Sequence, residues 1–160
     1  MNTPFDVSVL RSGDIASLRA MLVMFGRAFH ETATYTAQQP DDEYLDGLLA
    51  SSTFVAVAAL CGGNVIGGTA AYLLPKFEQA RSELYIYDLA VDAHYRRQGV
   101  ATAMIAELQQ LAAKRGVHVI FVQADREDGP AIALYTKLGV REDVLHFDIA
   151  PGESDAQPFH

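Results

Sequence analysis

Apolar residues spaced three and four positions apart predict the helices of this chain. Such spacing predicts a helix over 14–29, and acids at the start of the next apolar run predict a short one over 41–49. The polar, proline-terminated segment 32–40 between them is predicted to be a loop. Helical spacing returns over 102–115, where Gly116 follows as a C-terminal cap. A last helix begins near Pro130 and ends before Gly139.

Short runs rich in β-branched and aromatic residues predict the strands. A strand over 5–10 is followed by two runs, 54–60 and 65–74, that the turn-forming residues Cys-Gly-Gly-Asn join into a hairpin. Further strands are predicted over 84–91 and 117–123, and the segment 140–149 is predicted to hold one strand or two short ones. The pattern predicts one α/β domain over residues 1–160, ordered from about 4 to 150, with a frayed tail over 151–160.

Charge and composition narrow the function classes. Twenty acids against twelve bases give a net charge of −8, which disfavours nucleic acid and suits a cationic small molecule. Cys61 is the sole cysteine, so an internal disulfide is excluded and a reducing compartment is favoured. The chain has no apolar run of about 20 residues, so we expect a cytoplasmic protein without a membrane partner. Its five histidines are scattered, and no metal is predicted.

The stretch YRRQGVAT, residues 95–102, places positive charge and a glycine where a helix begins. A helix N-terminus has unpaired N–H groups and a positive dipole, so it favours anions such as phosphate. Gly99 permits close approach of a ligand to the backbone, and the pattern lacks the residues of a P-loop or a Rossmann turn. We predict a phosphate-binding loop formed by the following residues: Arg96, Arg97, Gln98, Gly99, Val100, Ala101 and Thr102.

Asp88 is a carboxylate inside an apolar strand. A buried acid is costly without a partner, and a substrate ammonium group would be such a partner. Burial also raises the pKa of a carboxylate towards values useful for a general base. The alternative is that Asp88 lies at the end of the strand, where its carboxylate accepts hydrogen bonds from neighbouring N–H groups. A polycationic substrate needs further carboxylates, and the candidates to line its site are Glu83, Asp125, Glu142, Asp143 and Asp148.

Two blocks of the sequence resemble the GNAT superfamily of N-acetyltransferases. Arg96, Gly99 and Ala101 match its signature between a buried strand and a helix, and DGPAIALYTKLGV, residues 128–140, resembles the segment beside the pantetheine arm. The resemblance implies acetyl-CoA as cofactor and a mostly antiparallel mixed sheet flanked by about four helices. It also implies two groups of cofactor-binding residues besides the loop: the backbone of Leu89, Ala90 and Val91, and the helix start with Asp128 and Ala131.

Most of the chain, from about 23 to 149, is similar to the aminoglycoside 3-N-acetyltransferases of the gentamicin-resistance type. This resemblance implies acetylation of the 3-amino group of an aminoglycoside, and a homodimer. It also implies that Tyr135 protonates the departing thiolate, whereas the residues alone are compatible with a core-packing aromatic. Three alternatives stay open: an acetyltransferase for another polyamine-like amine, a peptide N-terminal acetyltransferase, and a coenzyme-A-binding module without turnover.

Overall fold

A computed structural model describes residues 3–153 of the chain. It divides into two compact units, Met1–Gln123 and Ala124–His160. The first unit holds five strands and four α-helices within the described residues: β1 Asp6–Val9, α1 Ile15–Ala28, α2 Thr32–Thr36, α3 Asp42–Ala50, β2 Phe54–Cys61, β3 Asn64–Pro75, β4 Ser82–Val91, α4 Val100–Lys114 and β5 Val117–Val122. A 3-10 turn, Ala93–Tyr95, lies between β4 and α4. The second unit holds α5, Gly129–Leu138.

The five strands form one sheet in the order β1-β2-β3-β4-β5. The first three pairings are antiparallel and the β4–β5 pairing is parallel, so the expected mixed, mostly antiparallel sheet is confirmed. The predicted hairpin is β2–β3, whose turn contains Gly62 and Gly63. The described residues contain five α-helices, one more than the expected number of about four.

Two adjacent glycines in β3 let α1 and α4 pack against opposite faces of the sheet. A Cβ on Gly67 would lie 2.9 Å from Cγ1 of Val100 at the start of α4. A Cβ on Gly68 would overlap Met21 of α1, approaching its Sδ to 2.8 Å. Because neighbouring residues of a strand face opposite sides, the two helices lie on either side of the same dipeptide. Met21 and Val100 are both buried, and each buried side chain of this size stabilises the fold by about 1.5–3 kcal/mol.

The helix ends follow the predicted capping residues. Asp41 caps α3, because its carboxylate accepts a hydrogen bond of 2.9 Å from the N–H of Tyr44. Gly116, with φ of 70°, follows the end of α4 as predicted. None of the helices in residues 3–153 is long and apolar enough to cross a membrane.

Two predictions of local structure are wrong. The segment predicted to be a loop over 32–40 begins with the helix α2. The predicted strand over 140–149 is absent, and Val140, Leu145, Phe147 and Ile149 are exposed. A strand needs a partner for its backbone groups, and in the described part of the chain this segment pairs with none. Of the tail predicted to fray, residues 154–160 lie outside the described residues.

Candidate active site

A β-bulge in β4 determines the position of Asp88. Ala70 of β3 pairs with Asp88 but Ala71 pairs with Ile86, so Tyr87 is an extra residue on β4. The bulge leaves two consecutive side chains, those of Tyr87 and Asp88, on the same face of the sheet. The hydroxyl of Thr69, which is fully buried, donates a hydrogen bond of 2.9 Å to the carbonyl oxygen of Asp88. That bond stabilises the irregular backbone at the bulge.

The Asp88 carboxylate lies beside the phenol of Tyr35. The Tyr35 hydroxyl donates to both carboxylate oxygens, at 3.4 and 3.5 Å, which is long for an O–H···O contact. Burial raises the pKa of Asp88 above its usual value, the Tyr35 hydrogen bond lowers it, and the charge of Glu31 raises it again. Burial and the neighbouring Asp88 charge raise the pKa of Tyr35 to about 12, so its hydroxyl keeps its proton at neutral pH. The result is a half-buried carboxylate poised to accept a proton.

Tyr35 was missed by sequence reasoning because it lies on α2, in a polar segment. Its ring packs on Phe25 and Phe29 of α1, with centroids 6.0 and 5.8 Å apart. A Cβ on Gly26 would come within 3.0 Å of Cα of Thr32, so α1 and α2 approach closely there. The one available signal was an aromatic residue among threonines and alanines, a composition that gives no helical stripe.

The far half of β4 has a free edge among the described residues. Pairing with β5 ends at Ile86–Val122, whereas β3 pairs with β4 as far as Val91. The backbone groups of Leu89–Val91 that point away from β3 therefore have no ladder partner in β5. An extended ligand with amide groups can add to this edge as an extra strand would.

The predicted phosphate-binding loop lies at the start of α4. Gly99 caps α4 with φ of 82°, a left-handed conformation that favours glycine, and a Cβ there would meet nothing within 4 Å. The first helical hydrogen bond runs from the N–H of Ala103 to the carbonyl of Gly99, so the N–H groups of Val100, Ala101 and Thr102 precede the ladder. Open space and free donors at a positive helix end fit a diphosphate.

The side chains of the loop are partly used within the protein. Nε of Arg96 donates to the carbonyl of Val91 at 3.2 Å, which ties the loop to the end of β4. The Gln98 amide donates to the His94 carbonyl at 3.4 Å. Arg97 has a φ of 61° and is exposed. Both predicted cations are exposed, and Arg96 uses only its Nε within the protein, so both side chains can offer Nη groups to an anion.

The second unit contains the other predicted cofactor and catalytic residues. Asp128 caps α5, because its carboxylate accepts a hydrogen bond of 3.1 Å from the N–H of Ala131. A cofactor that contacts Asp128 and Ala131 would therefore have to share the carboxylate and the N–H group that already bind each other. Burial, followed by the Asp128 charge, raises the pKa of the Tyr135 phenol. Tyr135 therefore holds its proton at neutral pH, as a proton donor must.

The acids predicted to line a cationic substrate site differ in their surroundings. Glu83 lies 3.4 Å from Nε2 of His118 and 4.0 Å from Nζ of Lys76. Asp143 pairs with Arg141 and Asp148 with His146, at 2.8 and 2.9 Å. The remaining two acids are exposed in the second unit: Asp125 and Glu142. Among the described residues of the first unit, Asp88 is thus the predicted acid without a cationic side-chain partner. No three His, Cys, Asp or Glu side chains in residues 3–153 are grouped to hold a metal ion.

Comparisons with known proteins identify the family and the fold. The acetyltransferase (GNAT) family matches residues 18–140. A solved aminoglycoside acetyltransferase from an uncultured soil metagenomic sample is 54% identical, with a TM-score of 0.92, over 94% of this chain and 100% of that one. Another from an uncultured soil metagenomic sample, in complex with sisomicin, is 28% identical, with a TM-score of 0.85, over 92% and 96% of the two chains.

The curated relatives match a shorter part of the chain. The ribosomal protein bS18-alanine N-acetyltransferase of Escherichia coli (strain K12) is 34% identical over 77 residues, which are 46% of this chain and 52% of that protein. The chain spans about half the length of the curated relatives it matches.

Proposed function

Because the chain belongs to the GNAT acetyltransferase family, whose acetyl donor is acetyl-CoA, we propose that it acetylates the 3-amino group of an aminoglycoside such as gentamicin. The observation that carries the proposal is Asp88, a half-buried carboxylate of raised pKa beside the free half of β4. The similarity to aminoglycoside acetyltransferases over most of the chain supports this acceptor class.

Asp88 is proposed to bind the reacting amine and to take its proton. An aminoglycoside amine is an ammonium ion at neutral pH, and it must lose a proton before it can act as a nucleophile. The ionised Asp88 attracts the ammonium form, and its raised pKa makes it a stronger base than an exposed aspartate. The Tyr35 hydroxyl favours the ionised carboxylate by donating to it.

Coenzyme A is proposed to bind along β4 and at the start of α4. The N–H groups of Val100, Ala101 and Thr102 would hold the diphosphate, with Arg96 and Arg97 adding positive charge. The backbone of Leu89–Val91 would pair with the pantetheine amides. When bound, acetyl-CoA supplies an activated acetyl thioester. Tyr135, which is neutral at physiological pH, is proposed as the group whose Oη gives up a proton as the thiol forms.

The test is acetyl transfer with a panel of acceptors. Thiol release from acetyl-CoA is measured with gentamicin, sisomicin, spermidine and a peptide with an N-terminal alanine, and the acetylated position is found by NMR. We expect gentamicin to give the highest kcat/KM, with acetylation at its 3-amino group. Spermidine as the better acceptor would favour a polyamine acetyltransferase, and the peptide would favour the activity named for the curated relatives. Binding of coenzyme A without turnover of any acceptor would indicate a module that has lost catalysis.

We also propose that the protein is a cytoplasmic homodimer. The support for a dimer is that five apolar side chains close together in the sequence of the second unit are exposed, namely Val140, Val144, Leu145, Phe147 and Ile149. Protein–protein contact is the common reason for exposing so many large apolar side chains. Light scattering coupled to gel filtration should give twice the chain mass of 17.4 kDa, and a monomer at all concentrations would contradict the proposal.

A further inference from the structure

Five aromatic rings form a continuous row across four strands of the sheet. The ring of Phe54 on β2 lies 5.5 Å from that of Tyr72 on β3, which lies 5.8 Å from Tyr87 on β4. Tyr87 lies 5.7 Å from Tyr85 on the same strand, and Tyr85 stacks on Phe121 of β5 at 4.6 Å. We call these five residues the aromatic row. Every step is within the range at which aromatic rings attract one another.

The aromatic row lies on the same face of the sheet as Asp88. Tyr72 follows Ala70 by two residues on β3, and side chains two apart on a strand share a face. Ala70 is the partner of Asp88 across the ladder, and the bulge adds Tyr87 to the same side. Burial and neighbouring tyrosines are the main causes that raise the pKa of Tyr72 and Tyr85, and the charge of Asp88 raises it further. These two rings therefore lie within electrostatic reach of the carboxylate.

The middle of the aromatic row is open to solvent. Tyr87 is 63% exposed and Tyr72 38% exposed, while Phe54 at one end is buried. Tyr85 is held by a hydrogen bond of 3.0 Å from its hydroxyl to Oε1 of Gln123. The row is thus anchored at its end and along its length, and it presents flat rings beside the proposed base.

We propose that the aromatic row is the subsite for the non-reacting rings of the acceptor, and that it favours saccharide rings that carry ammonium groups. This inference rests on the proposed function. Sugar rings have flat C–H faces that pack on aromatic rings, and an ammonium group is attracted to a π face. While Asp88 holds the reacting amine, the next ring of the acceptor would lie on Tyr87 and Tyr72.

Charge and position favour this occupant over a protein surface. The row adjoins Asp88 directly, since Tyr87 precedes it in the chain, and the chain carries a net charge of −8. A polycationic saccharide matches both the carboxylate and the π faces. A linear polyamine has no ring to stack, so the row also predicts a preference for aminoglycosides over spermidine.

The first test compares a multi-ring acceptor with a single-ring one. Gentamicin is compared with 2-deoxystreptamine, the aminocyclitol ring alone, in the wild type, Tyr87→Ala and Tyr87→Phe. For Tyr87→Ala we expect KM for gentamicin to rise about tenfold with little change in kcat, as loss of a stacking contact implies. Tyr87→Phe, which keeps the ring, should resemble the wild type. Equal changes in KM for both acceptors, or no change for either, would overturn the inference.

The second test does not depend on turnover. The chain contains no tryptophan, so Tyr87→Trp introduces a single fluorescent reporter into the aromatic row. Gentamicin added without acetyl-CoA should change its emission along a saturating curve that matches the calorimetric Kd. A matched Val23→Trp variant, at an exposed position of α1, should show no change.

The outcomes separate this inference from the proposed function. If calorimetry shows gentamicin binding but the emission of Tyr87→Trp does not change, or both variants respond alike, the acceptor lies elsewhere and only the inference fails. If emission changes with protein concentration instead of gentamicin, a second copy of the chain covers the row, which also overturns it. If gentamicin neither binds nor is acetylated, the proposed function fails and the inference fails with it.

Discussion

Tyr35→Phe removes one hydroxyl from the candidate site and keeps the ring in place. The ring still packs on Phe25 and Phe29, so α2 should remain folded against α1. What is lost is the hydrogen bond to Asp88, which favours the ionised carboxylate. The pKa of Asp88 should therefore rise further above its usual value in the variant.

The contact distances set the size of this effect. A hydrogen bond to a charged group contributes about 1.5–3 kcal/mol, but 3.4–3.5 Å is long, so we take about 1 kcal/mol. That free energy is about fivefold in the ionisation equilibrium of Asp88. Where Asp88 is mostly protonated, the variant should thus have about one fifth of the active form, and at higher pH the two proteins should converge.

The assay is kcat/KM for gentamicin as a function of pH, expressed as the ratio of Tyr35→Phe to the wild type. The acceptor amine ionises identically in both experiments, so its contribution cancels in the ratio. We expect about 0.2 in the acid range, rising towards 1 as the pH increases. Tyr44→Phe, at an exposed tyrosine of α3, is the matched control and should give a ratio of 1 throughout. A ratio for Tyr35→Phe that is constant with pH would show that Tyr35 only packs, and a ratio that falls with pH would refute the assigned direction.

Four further predictions concern the base, the acid, the loop and the sheet. Asp88→Asn should lower kcat/KM about 100- to 10,000-fold while sparing coenzyme A affinity. The pKa of Asp88 in the folded state is raised above its ordinary value of 3.8, so the wild type should lose stability as the pH increases from 3.8 through the raised pKa. Urea unfolding as a function of pH should show that Asp88→Asn lacks this loss. Tyr135→Phe should lower kcat with unchanged coenzyme A affinity, and equal turnover would exclude it as the acid. Gly99→Asp and Gly99→Asn strain the backbone alike at this positive φ, but only the aspartate adds negative charge. By calorimetry Gly99→Asp should bind coenzyme A at least tenfold more weakly than Gly99→Asn, and equal affinities would contradict a diphosphate at this loop. Gly68→Ala should lower the free energy of unfolding in urea by roughly 1–3 kcal/mol, because the added methyl group overlaps Met21. In a Met21→Ala background the loss should be much smaller, and an equal loss in both backgrounds would contradict that cause.

The sequence predicted those parts of the fold that local patterns determine. Helical spacing predicted α1 and α4, turn residues predicted the β2–β3 hairpin, and the position of Asp88 inside an apolar strand indicated its burial. α2 was missed because a five-residue helix with three threonines has little helical propensity, and packing of Tyr35 on α1 stabilises it instead. The β-bulge at Tyr87 was also missed, since it arises from the pairing of two strands and has no local signature.

The wrong prediction over 140–149 has a related cause. Alternating apolar residues show that a segment can form a strand, but a strand exists only where another strand satisfies its backbone groups. The aromatic row was unpredictable for the same reason, because its five members come from four strands whose register only the folded sheet fixes.

The adjacent glycines of β3 have a consequence for how such an enzyme can evolve. A side chain larger than hydrogen at Gly67 would displace the start of α4, where the cofactor is proposed to bind, and one at Gly68 would displace α1, which supports Tyr35. Substitution of Gly67 is therefore blocked by α4 on one side of the sheet, and substitution of Gly68 by α1 on the other side. Tyr87 is mostly exposed and lies in a bulge, so it can be exchanged at little structural cost. Under selection for new acceptors, substitutions should accumulate around Tyr87 while the two glycines stay unchanged.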